Sequence, residues 1–221
     1  MIKMDKSYLI ILLPLVILLC YWQDRPCQTT VGQAHSRITS LNRKSKINIG
    51  QACRRIDEYV LRPGETFSFN RVVGPRTYER GFVAAPTYLG NGTASTEGGG
   101  VCLVSSLIYK AALESGLKIE ERTPHSRTIS TVLPGLDATV WYGRQDLKFK
   151  NETKGPVKIQ CKANFYSVDV SILGSKNALS RRIIRKENPA SATQVAVAVY
   201  LQKGDALEPV SQDLYDRTRN N

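Results

Sequence analysis

The sequence predicts an α+β fold: a single domain with a mixed or antiparallel sheet and about two main helices, preceded by an N-terminal membrane segment. Three observations predict it. Apolar residues recur at helical spacing in two places, Ile49, Cys53, Ile56 and Val60, and then Val101, Val104, Leu107, Ile108 and Ala111, as expected for helices that bury one face. Alternation takes over downstream, where Val157, Ile159, Cys161 and Ala163 are followed after a short break by Val168, Val170 and Ile172. Two alternating runs so close together read as an antiparallel hairpin. The third observation is an uncharged run from Tyr8 to Trp22 behind Lys3 and Lys6.

Composition bounds the rest. With 221 residues, 42% hydrophobic and 23% charged, the chain has room for one domain with a sizeable core, and disordered, collagen-like and low-complexity classes are excluded. Lys and Arg outnumber Asp and Glu by 31 to 19, a net charge of +12, which favours anionic surroundings such as lipid head groups or wall polymers. Five cysteines are too few for a disulfide scaffold and follow no metal-ligand spacing, so neither a metal nor another cofactor is expected.

Taken in order, the apolar run spans about 15 residues, fewer than the about 20 of a full bilayer span, so residues 1–23 read as a signal peptide or membrane anchor. Retained, it makes a single-pass protein of the cytoplasmic membrane with the domain outside; cleaved, it leaves a secreted protein. Residues 24–42 read as a polar tether carrying Cys27 and His35. Residues 43–175 form the domain. Its first helix is capped by Ser45 or Asn48 and ends at Pro63-Gly64. Strand candidates follow at Thr66 to Asn70 and Phe82 to Leu89, with a turn at Gly90-Asn91-Gly92, and later at Lys118 to Arg122, Thr128 to Val132, Ala138 to Trp141 and Leu147 to Phe149. Residues 176–221 read as a basic linker and C-terminal extension, with one more strand near Gln194 to Gln202. The basic run lacks interleaved aromatics, which argues against nucleic acid as a partner.

The chemistry concentrates at Gly98-Gly99-Gly100-Val101-Cys102. Cys102 falls in the first turn of the second helix, where unpaired backbone N–H groups and the helix dipole favour a thiolate. Ser105, Ser106 and Tyr109 share that part of the helix, and Gly99 and Gly100 give backbone a close approach. The alternative is a small apolar cysteine packed in the core. His125 lies among polar residues after Glu121-Arg122. Together Cys102 and His125 make the minimal thiol acyl-transfer unit, with Asp137 or Asp146 orienting the imidazole. Arg122 would engage a substrate carboxylate or, alternatively, form a salt bridge to Glu121 or Asp137.

Several separated blocks carry a resemblance: Pro63-Gly64-Glu65-Thr66-Phe67-Ser68-Phe69-Asn70, the glycine run with Cys102, Ser105-Ser106-Leu107-Ile108-Tyr109, Glu121-Arg122 with His125-Ser126, Pro134-Gly135 with Asp137-Ala138-Thr139-Val140, and Asp146-Leu147-Lys148-Phe149 with Asn151. In this order they resemble the VanW family, named after an accessory gene of some vancomycin-resistance clusters, from about Arg43 to Gly174. The resemblance implies an exported bacterial cell-envelope protein, with peptidoglycan or its precursors, the cytoplasmic membrane and other envelope proteins as partners. Family members usually place Gln directly after the cysteine, where this chain has Leu103. Three roles follow: an accessory protein in peptidoglycan metabolism or glycopeptide resistance with undefined activity; a cysteine-dependent peptidoglycan amidase, peptidase or transpeptidase using Cys102 and His125; and a scaffold for envelope proteins.

Overall fold

The computed structural model describes residues 28–89, 92–175 and 181–217. In chain order its elements are β1 (Thr29–Arg37), α1 (Arg43–Ile56), β2 (Tyr59–Leu61), β3 (Thr66–Ser68), α2 (Phe69–Val73), β4 (Ala84–Leu89), β5 (Gly92–Glu97), α3 (Val101–Glu114), β6 (Lys118–Glu121), β7 (Lys148–Lys150), β8 (Val157–Ala163), β9 (Ser167–Gly174), β10 (Arg182–Pro189), β11 (Gln194–Lys203) and β12 (Ala206–Asp216). They form antiparallel sheets in the orders β1-β9-β8-β2, β10-β11-β12 and β3-β7-β6, with β4-β5 as a separate hairpin. Helices α1 and α3 pack on one face of the four-stranded sheet. The alternating Val157, Ile159 and Cys161 of β8 and Val168, Val170 and Ile172 of β9 point to that face, and meet Ile49, Ala52, Cys53 and Ile56 of α1 in one core. The opposite face is polar and carries the exposed pairs His35–Asp169 at 2.7 Å and Lys158–Glu58 at 2.7 Å, each worth little in high dielectric.

Local chemistry sets the element ends. The Asn42 side chain accepts from the Ser45 amide at 2.9 Å, so α1 starts ahead of both expected caps, and Asn48 is buried instead. The helix stops at Asp57, and Val60 joins β2 rather than extending α1. Ser68 ends β3 and caps α2 by accepting from the Arg71 amide at 3.1 Å, which cuts short the strand expected to reach Asn70. The expected strands at 128–132 and 138–141 are irregular segments with isolated bridges, Ile129 to Val132 in the first, and Thr139 to Thr123 and Trp141 to Gln145 in the second.

The expected architecture needs three corrections. The first concerns the membrane segment. Among the described residues no helix is long and apolar enough to cross a membrane. The longest, α1 and α3, have 14 residues each, or about 21 Å at 1.5 Å rise, against a hydrocarbon core of about 30 Å. The fold is therefore an α+β domain with antiparallel sheets. Residues 1–23 lie outside the described residues, as does Cys27, and no described element supports the transmembrane helix, the signal-anchor, the contact with the cytoplasmic membrane or the single-pass placement. Second, the expected tether contains β1, whose Val31 and Ala34 are core residues. A β-bulge between Thr30 and Gly32 breaks the alternation there, and a Cβ at Gly32 would fall 2.1 Å from the Ala111 carbonyl oxygen, so this strand lies directly on α3. Third, the expected basic linker holds β10, β11 and β12, and Val195, Val197, Val199, Leu201 and Tyr215 belong to the same core cluster as the rest.

Candidate functional site

The site is assembled at the start of α3. Gly100, at φ 95°, is the N-cap and brings no side-chain hydrogen bond; an L side chain there would be strained. A Cβ at Gly99 would fall 2.2 Å from the Ala85 carbonyl oxygen, so only glycine allows the loop to lie against β4. Buried Asn48 holds the arrangement from α1, donating to the Gly99 carbonyl at 3.0 Å and the Val83 carbonyl at 2.8 Å and accepting from the Val83 amide at 2.8 Å. Cys102 is thereby fixed, partly buried, in the first helical turn.

Two serines staple this helix to the segment that carries the acid. The Ser105 hydroxyl donates to the Ala138 carbonyl at 2.6 Å, and the Ser106 hydroxyl donates to the Cys102 carbonyl at 2.6 Å while accepting from the Ala138 amide at 2.9 Å. One Asp137 oxygen accepts from both the backbone amide and Nδ1 of His125, each at 2.6 Å. With Nδ1 so occupied, Nε2 is the free ring nitrogen, and thiol and imidazole line the same cavity, where each favours the charged form of the other. Sγ also lies 3.7 Å from the Val140 carbonyl oxygen.

The charges follow from these contacts. Burial works against ionisation of the Cys102 thiol, but the hydrogen bond and charge of His125, the Val140 backbone and the Arg76 guanidinium outweigh it, and its pKa lies below the ordinary thiol range. Burial likewise opposes the imidazolium, yet Asp137 and Cys102 raise His125 to about 9. Burial would raise the Asp137 carboxyl, and His125, Arg122 and Tyr215 instead hold it low. These contacts shift the balance toward a thiolate and an imidazolium steadied by a carboxylate.

Asp137 is braced from behind by the C-terminal sheet. The Tyr215 hydroxyl donates to its second oxygen at 2.7 Å, and accepts from the Gly135 amide at 2.8 Å and from Arg122 at 3.0 Å; one donor and two lone pairs are all used. Arg122 bridges Asp137 at 2.9 Å and Asp213 at 2.5 Å, with its side chain 6% exposed.

Of the residues singled out in the sequence, Cys102, His125 and Asp137 come together, and Gly99 and Gly100 line the cavity at the thiol. Asp146 is elsewhere, accepting from Ser68 at 2.6 Å and the Asn70 amide at 2.8 Å. Ser105, Ser106 and Tyr109 are buried and line neither of the two cavities at Cys102, and the two serines support the helix. Arg122 makes the salt bridge to Asp137, one of the two roles the sequence allowed it. Leu103 is buried and walls the second cavity.

Cys102 lies between two cavities that share Thr87, Gly100, Val140 and Trp141. One, of about 260 Å³, is bounded by Arg76, Glu97, the glycine loop and Tyr142. The other, of about 330 Å³, is largely apolar and holds His125 with Leu41, Leu103, Ile129 and Thr139. Arg76, Trp141, Thr139, Asp213 and Tyr215 were missed by sequence reasoning. Arg76 sits in a Gly74-Pro75 turn with no local signal, and Tyr215 reaches the site from the far end of the chain. No group of His, Cys, Asp and Glu able to hold a metal occurs among the described residues.

The chain is 37% identical over 151 residues, 68% of its length and 50% of the relative's, to YoaR, an uncharacterised protein of Bacillus subtilis. It is 31% identical over 111 residues, 48% of its length and 40% of the relative's, to the vancomycin B-type resistance protein VanW of Enterococcus faecalis. The chain thus spans half or less of the length of these curated relatives. No solved structure matches it. The family described as VanW like protein matches residues 44–173, more than half of the chain, from α1 to the end of β9 and including Cys102, His125 and Asp137: the chain belongs to the VanW-like family.

Proposed function

We propose that the protein is a cysteine-dependent acyl-transfer enzyme acting on amide bonds of cell-envelope peptides, with Cys102 as nucleophile, His125 as general acid and base, and Asp137 as the residue that orients the imidazole. One observation carries the reading: a thiol in the first turn of a helix shares a cavity with an imidazole whose Nδ1 is held at 2.6 Å by a buried carboxylate. In the reaction the thiolate attacks the carbonyl carbon, and the Cys102 amide in the first turn of α3 holds the developing oxyanion. His125 gives its proton to the leaving nitrogen as the C–N bond breaks, which leaves an acyl thioester on Cys102. Water or an acceptor amine then attacks, His125 takes its proton, and the C–S bond breaks. A relative named for vancomycin resistance supports peptidoglycan stem peptides and their precursors as the substrates to test first.

An accessory role in glycopeptide resistance without chemistry requires neither the ion pair nor a cavity open at the thiol. The test is incubation of the protein and its Cys102→Ala variant with purified peptidoglycan and lipid-linked precursor, followed by mass spectrometry and binding in the same samples. Mass-shifted products that require Cys102 are expected. Binding by both proteins with no product from either would overturn the enzyme and leave an accessory, wall-recognition role.

A further inference from the structure

The two cavities at Cys102 differ in chemistry, and the position of His125 orders them. The leaving nitrogen must receive its proton from His125, so the leaving limb of a substrate lies in the His125 cavity, and the acyl limb runs the other way, past the glycine loop toward Arg76 and Glu97. Arg76 is set there in advance. Its guanidinium donates to the Gly74 carbonyl at 3.0 Å and to Asn70 Oδ1 at 2.7 Å, and its Cζ lies 5.4 Å from the Phe69 ring centroid and 5.8 Å from that of Tyr142. It is partly buried and makes no ion pair among the described residues, although exposed Glu97 bounds the same cavity. Two opposite charges that face one cavity without meeting each other fit a ligand that carries both. A guanidinium fork suits a carboxylate, and the exposed Glu97 carboxylate suits an ammonium.

We infer that the acyl donor bears a zwitterionic amino-acid group on its acyl limb, with the carboxylate on Arg76 and the ammonium on Glu97, while an apolar leaving limb occupies the cavity of Leu41, Leu103 and Ile129. Beside that cavity the Thr139 hydroxyl is buried with no hydrogen-bond partner among the described residues. The inference rests on acyl transfer by Cys102 and names the substrate class for that site.

Three benzyl thioesters test it on the full chain: an acyl group ending in an α-amino acid, its carboxamide, and its des-amino acid. Attack by the Cys102 thiolate releases benzyl thiol, which leaves with the proton of His125, and forms the Cys102 thioester, counted by intact mass. The wild type is expected to be acylated at least tenfold faster by the zwitterion than by either analogue. Arg76→Gln abolishes the preference over the carboxamide and Glu97→Gln the preference over the des-amino acid, each leaving the other discrimination in place. Because Arg76 also supports the thiolate, its variant slows all three reagents together, and the ratio of rates is the readout; Arg76→Lys, which keeps the charge, recovers part of it. Equal acylation of the wild type by all three overturns the zwitterion site and leaves acyl transfer standing. No Cys102 adduct from any of them overturns both.

Discussion

Replacing Asp137 with Asn removes the carboxylate that holds His125, and the titration of that histidine measures the loss. His125 sits at about 9 against an ordinary 6.5, with its side chain 10% exposed. The difference of about 2.5 corresponds to about 3 kcal/mol favouring the imidazolium, at about 1.4 kcal/mol per pH unit. Burial alone lowers this pKa, so without Asp137 the group is expected to titrate at or below 6.5 once Cys102 is also Ala, and between the two limits while the thiolate remains. The sign for stability follows. Because the folded pKa is raised, the stabilisation is fully present below the unfolded pKa of about 6.5 and is lost as pH rises through about 9. The wild type therefore loses up to about 3 kcal/mol across that window, and Asp137→Asn with Cys102→Ala shows a flat profile there. Proton NMR of the imidazole signals is direct, since the chain has two histidines and His35→Gln assigns them. Denaturant melts at pH 6 and pH 10 supply the stability arm. A wild-type His125 that titrates near 6.5, and does not move in Asp137→Asn, would refute the ion pair and the orienting role together.

Three further outcomes are expected. Iodoacetamide with peptide mapping should alkylate Cys102 in the native protein with an inflection below the ordinary thiol range, whereas Cys53 and Cys161, both buried, should react only after unfolding; native labelling of all three would contradict the packing. Tyr215→Phe leaves the buried Gly135 amide and one Arg122 donor without their acceptor, a loss of about 1–3 kcal/mol. That should lower the melting temperature by several degrees and slow acylation of Cys102, and unchanged acylation would show that the C-terminal sheet does not bear on Asp137. Gly99→Ala should unfold the loop's contact with β4, because its Cβ would fall 2.2 Å from a backbone oxygen; a variant with wild-type thiol reactivity would argue against that close approach.

Periodicity carries local information, and it sufficed where burial is set by one element's own pattern. The α1 and α3 stripes, the β8-β9 hairpin and the position of Cys102 in a first helical turn were all legible, as was the group of blocks that resembles the family. The tether and linker expectations failed for a common reason: β1, β10 and β12 bury few side chains each and expose polar ones, and a bulge interrupts β1, so their alternation is weak in sequence. The strand assigned to 138–141 failed because its backbone is used by Ser105 and Ser106 to hold Asp137 rather than by a ladder.

By itself, the sequence determined which residue types were available for chemistry: one cysteine behind three glycines, one histidine within the core domain, and acids on either side of it. It put Asp137 in the site with Asp146 as the other candidate for the imidazole, and it offered Arg122 either as a substrate contact or as a salt-bridge partner of Glu121 or Asp137. Tertiary structure decided both, giving His125 to Asp137, Arg122 to a buried brace, and the cavity cation to Arg76. Such choices depend on distances between segments as much as 93 positions apart in the chain, as for Arg122 and Tyr215. No residue's own neighbours in sequence encode those distances, because they arise when several buried faces satisfy their packing and hydrogen bonds at once.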